Sequence, residues 1–494
     1  MTSLVLRSVR RPGETDPVDV HIRDGLVRSI TASATASAPA AGDDVAEIRA
    51  DGRYLLPGLW DEHTHVTTWA LTAKRVDLSS ADSARATLEI VAGFGTDTAA
   101  PDDTLVGVGF RDAVWADEPS LAAIDAVTGS RPTALVSHDL HCVWINSLAA
   151  SRFGVSVGAD GLLREDEAFR VTQALADLPD ALVDQWVSEA ADVAAARGVV
   201  GVVDLEMAWN RDVWLRRFGG GFRTLRVDVG VYAEHLDLAV AEGLYTGAPL
   251  SELSAGLLTV GPLKVLIDGS LNTRTAYCVD EYPHGGRGML TVSEDELVAL
   301  LTRAKDAGFA PAVHAIGDAA NRVALDAYER AGVVGRVEHA QFLRPEEVAR
   351  FGALGVTASV QPEHALDDRD AAELNWPGQT NRAFPLRSLL EAGARLAFGS
   401  DAPVAPLDPW VTMSAATARA RDDGRAPWHP EQSISRRDAL AASARGRTDV
   451  REGDVADLVL VDVDPLSAPD DVFRRMPVSA TLLGGRFTFR SASL

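Results

Sequence analysis

The sequence predicts an α/β fold: a (β/α)8 barrel of the TIM type with a small β-sandwich domain formed from both chain ends. Three observations carry that expectation. The middle of the 494-residue chain alternates short apolar runs with helical patterns, as βα units on a parallel sheet do. Eight such runs can be counted, the number that closes a barrel. Both ends, by contrast, carry short alternating strands with turn signals between them.

Taken in order, Leu4-Val5-Leu6 and then Val18, Val20, Ile22, Leu26, Val27 and Ile30 alternate, broken at Asp24-Gly25, a hairpin turn signal. The Ala/Ser/Thr-rich stretch 31–41 reads as a loop. Barrel strands are expected to end at His63–His65, Val200–Leu205, Leu225–Val231, Leu263–Ile267, Ala310–Val313, Arg336–His339, Val356–Val360 and Leu396–Gly399. Helical patterns at Glu294–Ala307 and Asp318–Ala331 have Gly308 and Gly332 as C-terminal stops. The runs Ala456–Asp462 and Ala480–Phe487 supply the last strands. The expected division is therefore 1–56 plus 447–494 for the sandwich and 57–446 for the barrel. The interval from about 66 to 195 is too long for one βα connection and holds its own apolar runs, Thr104–Val108 and Ala134–Val136. It reads as an insertion over the barrel mouth. Tandem repeats are absent.

Composition excludes several functions. Hydrophobic residues make up 46% and charged residues 24%, ordinary for a packed soluble chain. Seventy-one acids against 47 bases give a net charge of −24, which repels nucleic-acid phosphates and anionic lipid. The expected partner is a small-molecule substrate, with no nucleic acid and no membrane; a homo-oligomer is compatible with the sequence but not readable from it. Cys142 and Cys278 form neither a disulfide framework nor zinc-finger spacing. With no secretory h-region and no run of about 18 apolar residues, the expected localisation is cytoplasmic. Only Lys74, Lys264 and Lys305 among the basic residues are lysines, which raises the question of what arginine could not do there.

The chemistry begins at Leu56-Pro-Gly-Leu-Trp-Asp-Glu-His63-Thr-His65. Alternating strand positions put His63 and His65 on one face, able to chelate one metal. His314, His339 and Asp401 each close an apolar run, at the end of the strands where barrel active sites form. Imidazoles with a carboxylate suit zinc or a similar divalent ion. Lys264 stands inside the apolar run Val260–Ile267. Burial there favours the neutral amine, which can take up CO2 as a carbamate whose oxygens can bridge two metal ions; a guanidinium cannot.

These residues carry a resemblance to the amidohydrolase superfamily, in particular its YtcJ-like branch, which includes N-substituted formamide deformylases. The matching stretches are Pro-Gly-Leu-Trp-Asp-Glu-His-Thr-His (57–65), Leu-Lys-Val-Leu-Ile-Asp-Gly-Ser-Leu-Asn-Thr-Arg-Thr-Ala (263–276), Val-His-Ala-Ile-Gly-Asp (313–318), Val-Glu-His-Ala-Gln (337–341) and Ala-Phe-Gly-Ser-Asp-Ala-Pro-Val (397–404), in the family's order. The resemblance implies that His63, His65 and Asp401 hold one metal, and that a carboxylated Lys264 bridges to a second held by His314 and His339. One departure is visible: the link 441–453 is short and lacks the family's usual Tyr-Thr near its start.

The expected activity is hydrolysis of a non-peptide C–N bond, in an amide or formamide, by a hydroxide that two divalent ions generate near neutral pH. Asp401 would serve as base and then acid. His141, Asn272, Arg274, Gln361 and Trp69 are candidates for substrate contact. Trp144, Trp209 and Trp376 are either core residues or further candidates for an apolar pocket, and Asp268 and Asp318 are candidates for organising loops. A mononuclear deaminase or cyclic amidase on the same fold is the alternative, and a non-catalytic barrel scaffold the more distant one.

Overall fold

The computed structural model describes residues 3–33, 45–94, 104–110, 112, 115–137, 142–164, 166–271, 274–283 and 285–494. The chain divides into two compact units, Met1–Thr68 with Ala191–Leu494, and Trp69–Ala190.

The larger unit holds an eight-stranded parallel sheet. Its strands in chain order are Leu59–Thr64, Val199–Asp204, Arg226–Tyr232, Leu258–Leu266, Pro311–Ala315, Arg336–His339, Thr357–Val360 and Leu396–Phe398, each paired with the next. The sheet curls until its edges meet: Thr64 pairs in parallel with Ala402, the Asp401 amide donates to the His63 carbonyl at 2.7 Å, and the His65 amide to the Ala402 carbonyl at 2.9 Å. All eight strands fall where the apolar runs predict them. Near-continuous burial along Val199–Asp204 and Leu258–Leu266 is what a parallel sheet covered on both faces requires.

The helices follow their sequence signals. Glu294–Asp306 starts from a capping box in which Ser293 and Glu296 each satisfy the other's backbone N–H. Asp318–Ala331 stops at Gly332, whose φ of 59° is left-handed. Their apolar faces pack on the outside of the barrel through Leu297, Leu301, Ala320, Ala324 and Tyr328.

The two chain ends form two four-stranded sheets. One runs Leu26–Ala32, Val18–Arg23, Ser3–Val9, Val45–Arg49; the other runs Arg486–Arg490, Val478–Leu483, Leu458–Val461, Tyr54–Pro57. They share one core, Leu4, Leu6, Val20 and Ile22 of the first against Leu55, Leu458, Leu460 and Leu482 of the second, a sheet-on-sheet sandwich. The hairpin turns at Asp24-Gly25, with φ of 54° and 75°, the double positive φ of a tight two-residue turn.

The smaller unit has a five-stranded sheet ordered Leu162–Arg164, Cys142–Ile145, Thr133–Ser137, Leu105–Phe110, Val76–Asp77. Trp144 is fully buried in it, beside Trp115 and near Phe110. It therefore serves this core and not a ligand pocket. No helix among the described residues is long and apolar enough to cross a membrane.

Candidate metal centre

The barrel's C-terminal rim collects the polar residues that close its strands. His63 is the penultimate residue of the first strand and His65 follows that strand directly. Lys264 lies on the fourth strand, His314 on the fifth, and His339 ends the sixth. Asp401 stands just beyond the eighth, where Asp401 and His339 both adopt left-handed backbone, with φ of 58° and 72°. Such conformations are costly for residues with a Cβ and concentrate at functional sites.

Asp401 gathers the imidazoles. Its Oδ1 lies 3.2 Å from His65 Nε2 and 3.5 Å from His63 Nε2. His63, His339 and Asp401 each offer a donor atom within 4.8 Å of the others. The His314 ring sits edge-on to His339, 4.5 Å between centroids. Lys264 Nζ is 3.4 Å from His63 Nε2, with the residue only 2% exposed. All six residues that the sequence singles out as metal ligands are thus linked in one cluster.

Two carboxylates set the imidazoles. Glu338 Oε2 is 2.7 Å from His63 Nδ1, and Asp268 Oδ1 is 2.9 Å from His314 Nδ1. Each leaves the Nε2 atom turned inward, the arrangement that fixes a ligating histidine's tautomer and ring orientation. Asp268 also accepts from the backbone N–H of Ile316, Gly317 and Tyr277, so it organises its loops as well. Asp61 accepts from the N–H of His63 and of Ser400, tying the first strand to the eighth at the level of the site.

The electrostatics follow burial. It pushes the Lys264 ammonium down to about 8 and the Asp61 carboxyl up to about 7. Burial, reinforced by the Lys264 charge, lowers His63 to about 4. It would raise Asp401 too, but the surrounding imidazoles, His63 first, hold that carboxylate well below its usual range. Glu338 is likewise held low against its own burial, chiefly by Arg336.

The amidohydrolase family model matches residues 46–489. The chain belongs to the amidohydrolase family. This amidohydrolase is 32% identical to Protein LONG AFTER FAR-RED 3 of Arabidopsis thaliana, over 85% of this chain and 78% of that one. Two bacterial relatives place it in the YtcJ-like branch. The putative amidohydrolase YtcJ of Bacillus subtilis is 22% identical over 96% of both chains, and the N-substituted formamide deformylase of Arthrobacter pascens 24% identical over 90% of both. The fold matches that of an uncharacterised metal-dependent hydrolase from Pyrococcus furiosus at a TM-score of 0.75 and 24% identity, covering 94% of this chain and all of that one.

The substrate candidates fare differently. His141 and Asn272 lie outside the described residues. In the amidohydrolase, Gln361 is buried and its Nε2 lies 3.3 Å from His63 Nδ1. Arg274 is exposed, with a left-handed φ of 56°. Trp69 is half-buried on the helix Val66–Thr72 that follows the first strand. Trp376 stacks on Phe342, 4.0 Å between ring centroids, and Trp209 on His235 at 5.6 Å. Asp318 accepts from Arg344 Nε at 3.0 Å and from the Val279 amide at 2.8 Å, the loop-organising role expected of it.

Sequence reasoning missed Glu338 and His364. Glu338 carried a signal, an acid directly before a candidate ligand in a short strand. His364 stands three residues after Gln361, and only folding brings its Nε2 to 3.9 Å from Asp401 Oδ2.

Proposed function

We propose that this amidohydrolase cleaves the C–N bond of an N-substituted amide or formamide, converting R–NH–CHO and water into R–NH3+ and formate. The observation that carries the reading is the Asp401 carboxylate, kept ionised at the barrel rim among His63, His65 and His339 with Lys264 beside them. The likeness to an N-substituted formamide deformylase supports the substrate class.

The residues fit divalent ions. His339 Nδ1 is buried without a hydrogen-bond partner, an orphan that a metal would satisfy. His63, His65 and Asp401 would hold one ion, and His314 and His339 a second, with Lys264 as its CO2 carbamate between them. Zinc suits this set of imidazole and carboxylate donors. When bound, such ions lower the pKa of water and polarise a carbonyl.

The remaining work falls to the chain. Asp401 takes the proton of the attacking water and delivers it to the departing nitrogen, which cannot leave as an anion. Glu338 and Asp268 hold His63 and His314 in orientation. Gln361, buried beside His63, and Arg274 are proposed for substrate contact.

A second reading, a mononuclear deaminase or cyclic amidase, is favoured by the closeness of His63, His339 and Asp401, which could serve one ion alone. Metal content per chain, measured by elemental mass spectrometry on protein purified without chelator or affinity-tag metal, separates the two. A value near two with turnover of N-benzylformamide supports the proposal. A value near one supports the second reading, and no metal even after adding zinc and bicarbonate removes both.

A further inference from the structure

We propose that His364 is a further catalytic residue, whose Nε2–H donates a hydrogen bond to the carbonyl oxygen of the scissile bond. The proposal rests on the hydrolytic reading above and adds a role to a residue that reading leaves unused.

Four observations point to it. The His364 side chain is 9% exposed, and its Nε2 is buried with no hydrogen-bond partner. A buried imidazole nitrogen left unsatisfied is unfavourable, so its retention calls for a partner that arrives with a ligand. That nitrogen lies 3.9 Å from Asp401 Oδ2, too far for a hydrogen bond but on the oxygen opposite the one facing His63 and His65. The ring lies nearly parallel to that of His339, 6.2 Å away and 16° between planes, which aligns it with the candidate ligands.

The fourth observation is how firmly the segment is held. The His364 amide donates to the Gln361 carbonyl at 3.0 Å, and Gln361 itself contacts His63. The neighbouring Glu363 carboxylate is 2% exposed and gripped by two guanidiniums, Arg421 Nε at 2.6 Å and Arg474 at 2.7 and 3.2 Å. A buried carboxylate is tolerated only with such partners. The pair of arginines therefore fixes the four-residue turn that presents His364, leaving its Nε2 as the one side-chain atom of that turn aimed at the rim without a mate.

A substrate whose nitrogen is offered to Asp401 Oδ2 carries its carbonyl oxygen one bond-pair away, within reach of His364. The hydrogen bond would strengthen as that oxygen gains negative charge, so its effect belongs in kcat and not in KM.

The test uses full-length, zinc-loaded protein with His364→Ala and His364→Gln, the second retaining an N–H donor. Three quantities are read: zinc per chain, binding of formate and acetate by calorimetry, and kcat and KM on N-benzylformamide. The expected result is unchanged zinc, formate and acetate binding weakened about tenfold in His364→Ala, and kcat lowered ~10²–10³-fold at similar KM, with partial recovery in His364→Gln. Loss of one zinc per chain would make His364 a metal ligand and overturn the proposal. So would unchanged anion binding in both variants. If the parent protein cleaves no formamide, the substrate reading fails by itself, and zinc content with anion binding still judges His364. Should His364→Ala not fold, His364→Leu, which also lacks the donor, takes its place in the same three measurements.

Discussion

Glu338 Oε2 lies 2.7 Å from His63 Nδ1, while Arg336 Nε lies 2.6 Å from the other oxygen of the same carboxylate. The arginine continues the chain of charge downward. Its Nη1 donates to Glu62, whose second oxygen accepts from Arg445 Nε, and Arg445 reaches Asp228. An acid inside the barrel is thus stabilised by cations anchored at the opposite mouth, and its product is one correctly turned imidazole.

Glu338→Gln keeps the shape but removes the charge that polarises His63. Metal affinity is expected to fall about 10–100-fold, read by competition with a chromogenic chelator. Unchanged affinity would leave Glu338 a purely structural acid.

Lys264 predicts a pH dependence for assembly. Carbamate formation needs the neutral amine, and burial brings this lysine to about 8. CO2-dependent reconstitution of metal-free protein should therefore speed up with pH, pass its half-maximum near 8 and level off above it, and should be absent in Lys264→Met. The same shift acts on stability. Between about 8 and the unfolded value near 10.5 the unfolded chain binds a proton that the folded one does not, so the metal-free fold gains stability as pH rises. Urea titrations of the parent and of Lys264→Met at pH 7.5 and 9.5 give that slope by difference.

Asp401→Asn retains the shape of the side chain and loses its capacity to accept and release a proton. We expect kcat to drop about 10²–10⁴-fold on any substrate the parent turns over. Full turnover with full metal content would remove Asp401 from the proton path.

Gly399 is required by a close approach. A Cβ there would stand 2.6 Å from the His63 backbone nitrogen and 2.7 Å from its Cβ. Gly399→Ala must push the eighth strand off the first and open the pairing that seats both His63 and Asp401. A lower melting temperature together with weaker zinc uptake is expected, in contrast to a surface Gly→Ala change such as Gly219→Ala, whose Cβ would meet nothing.

Much of this site was legible because barrel chemistry is written at strand ends. His63, Lys264, His314 and His339 sit on short apolar runs whose period and position set both the strand and the face. What the sequence hid depends on contacts between distant segments. Glu338 is 275 residues from its partner His63, and no local pattern joins them. His364 follows a strand by a turn whose direction is decided by Arg421 and Arg474, far along the chain. The short link 441–453 looked like a mere departure from the family pattern. Folded, it turns at Arg445, whose guanidinium lies 3.2 Å over the Trp60 ring and caps Glu62.

The sandwich also bears on how the chain is made. Strand Tyr54–Pro57 leaves the ribosome well before its antiparallel partner Leu458–Val461, which is synthesised about 400 residues later. At roughly 5–20 residues per second that edge waits some tens of seconds with its backbone unpaired, an invitation to intermolecular pairing. Ribosome-bound chains arrested before residue 458 should consequently be protease-sensitive at residues 54–57 and should recruit holdase chaperones, and chains released after residue 483 should not.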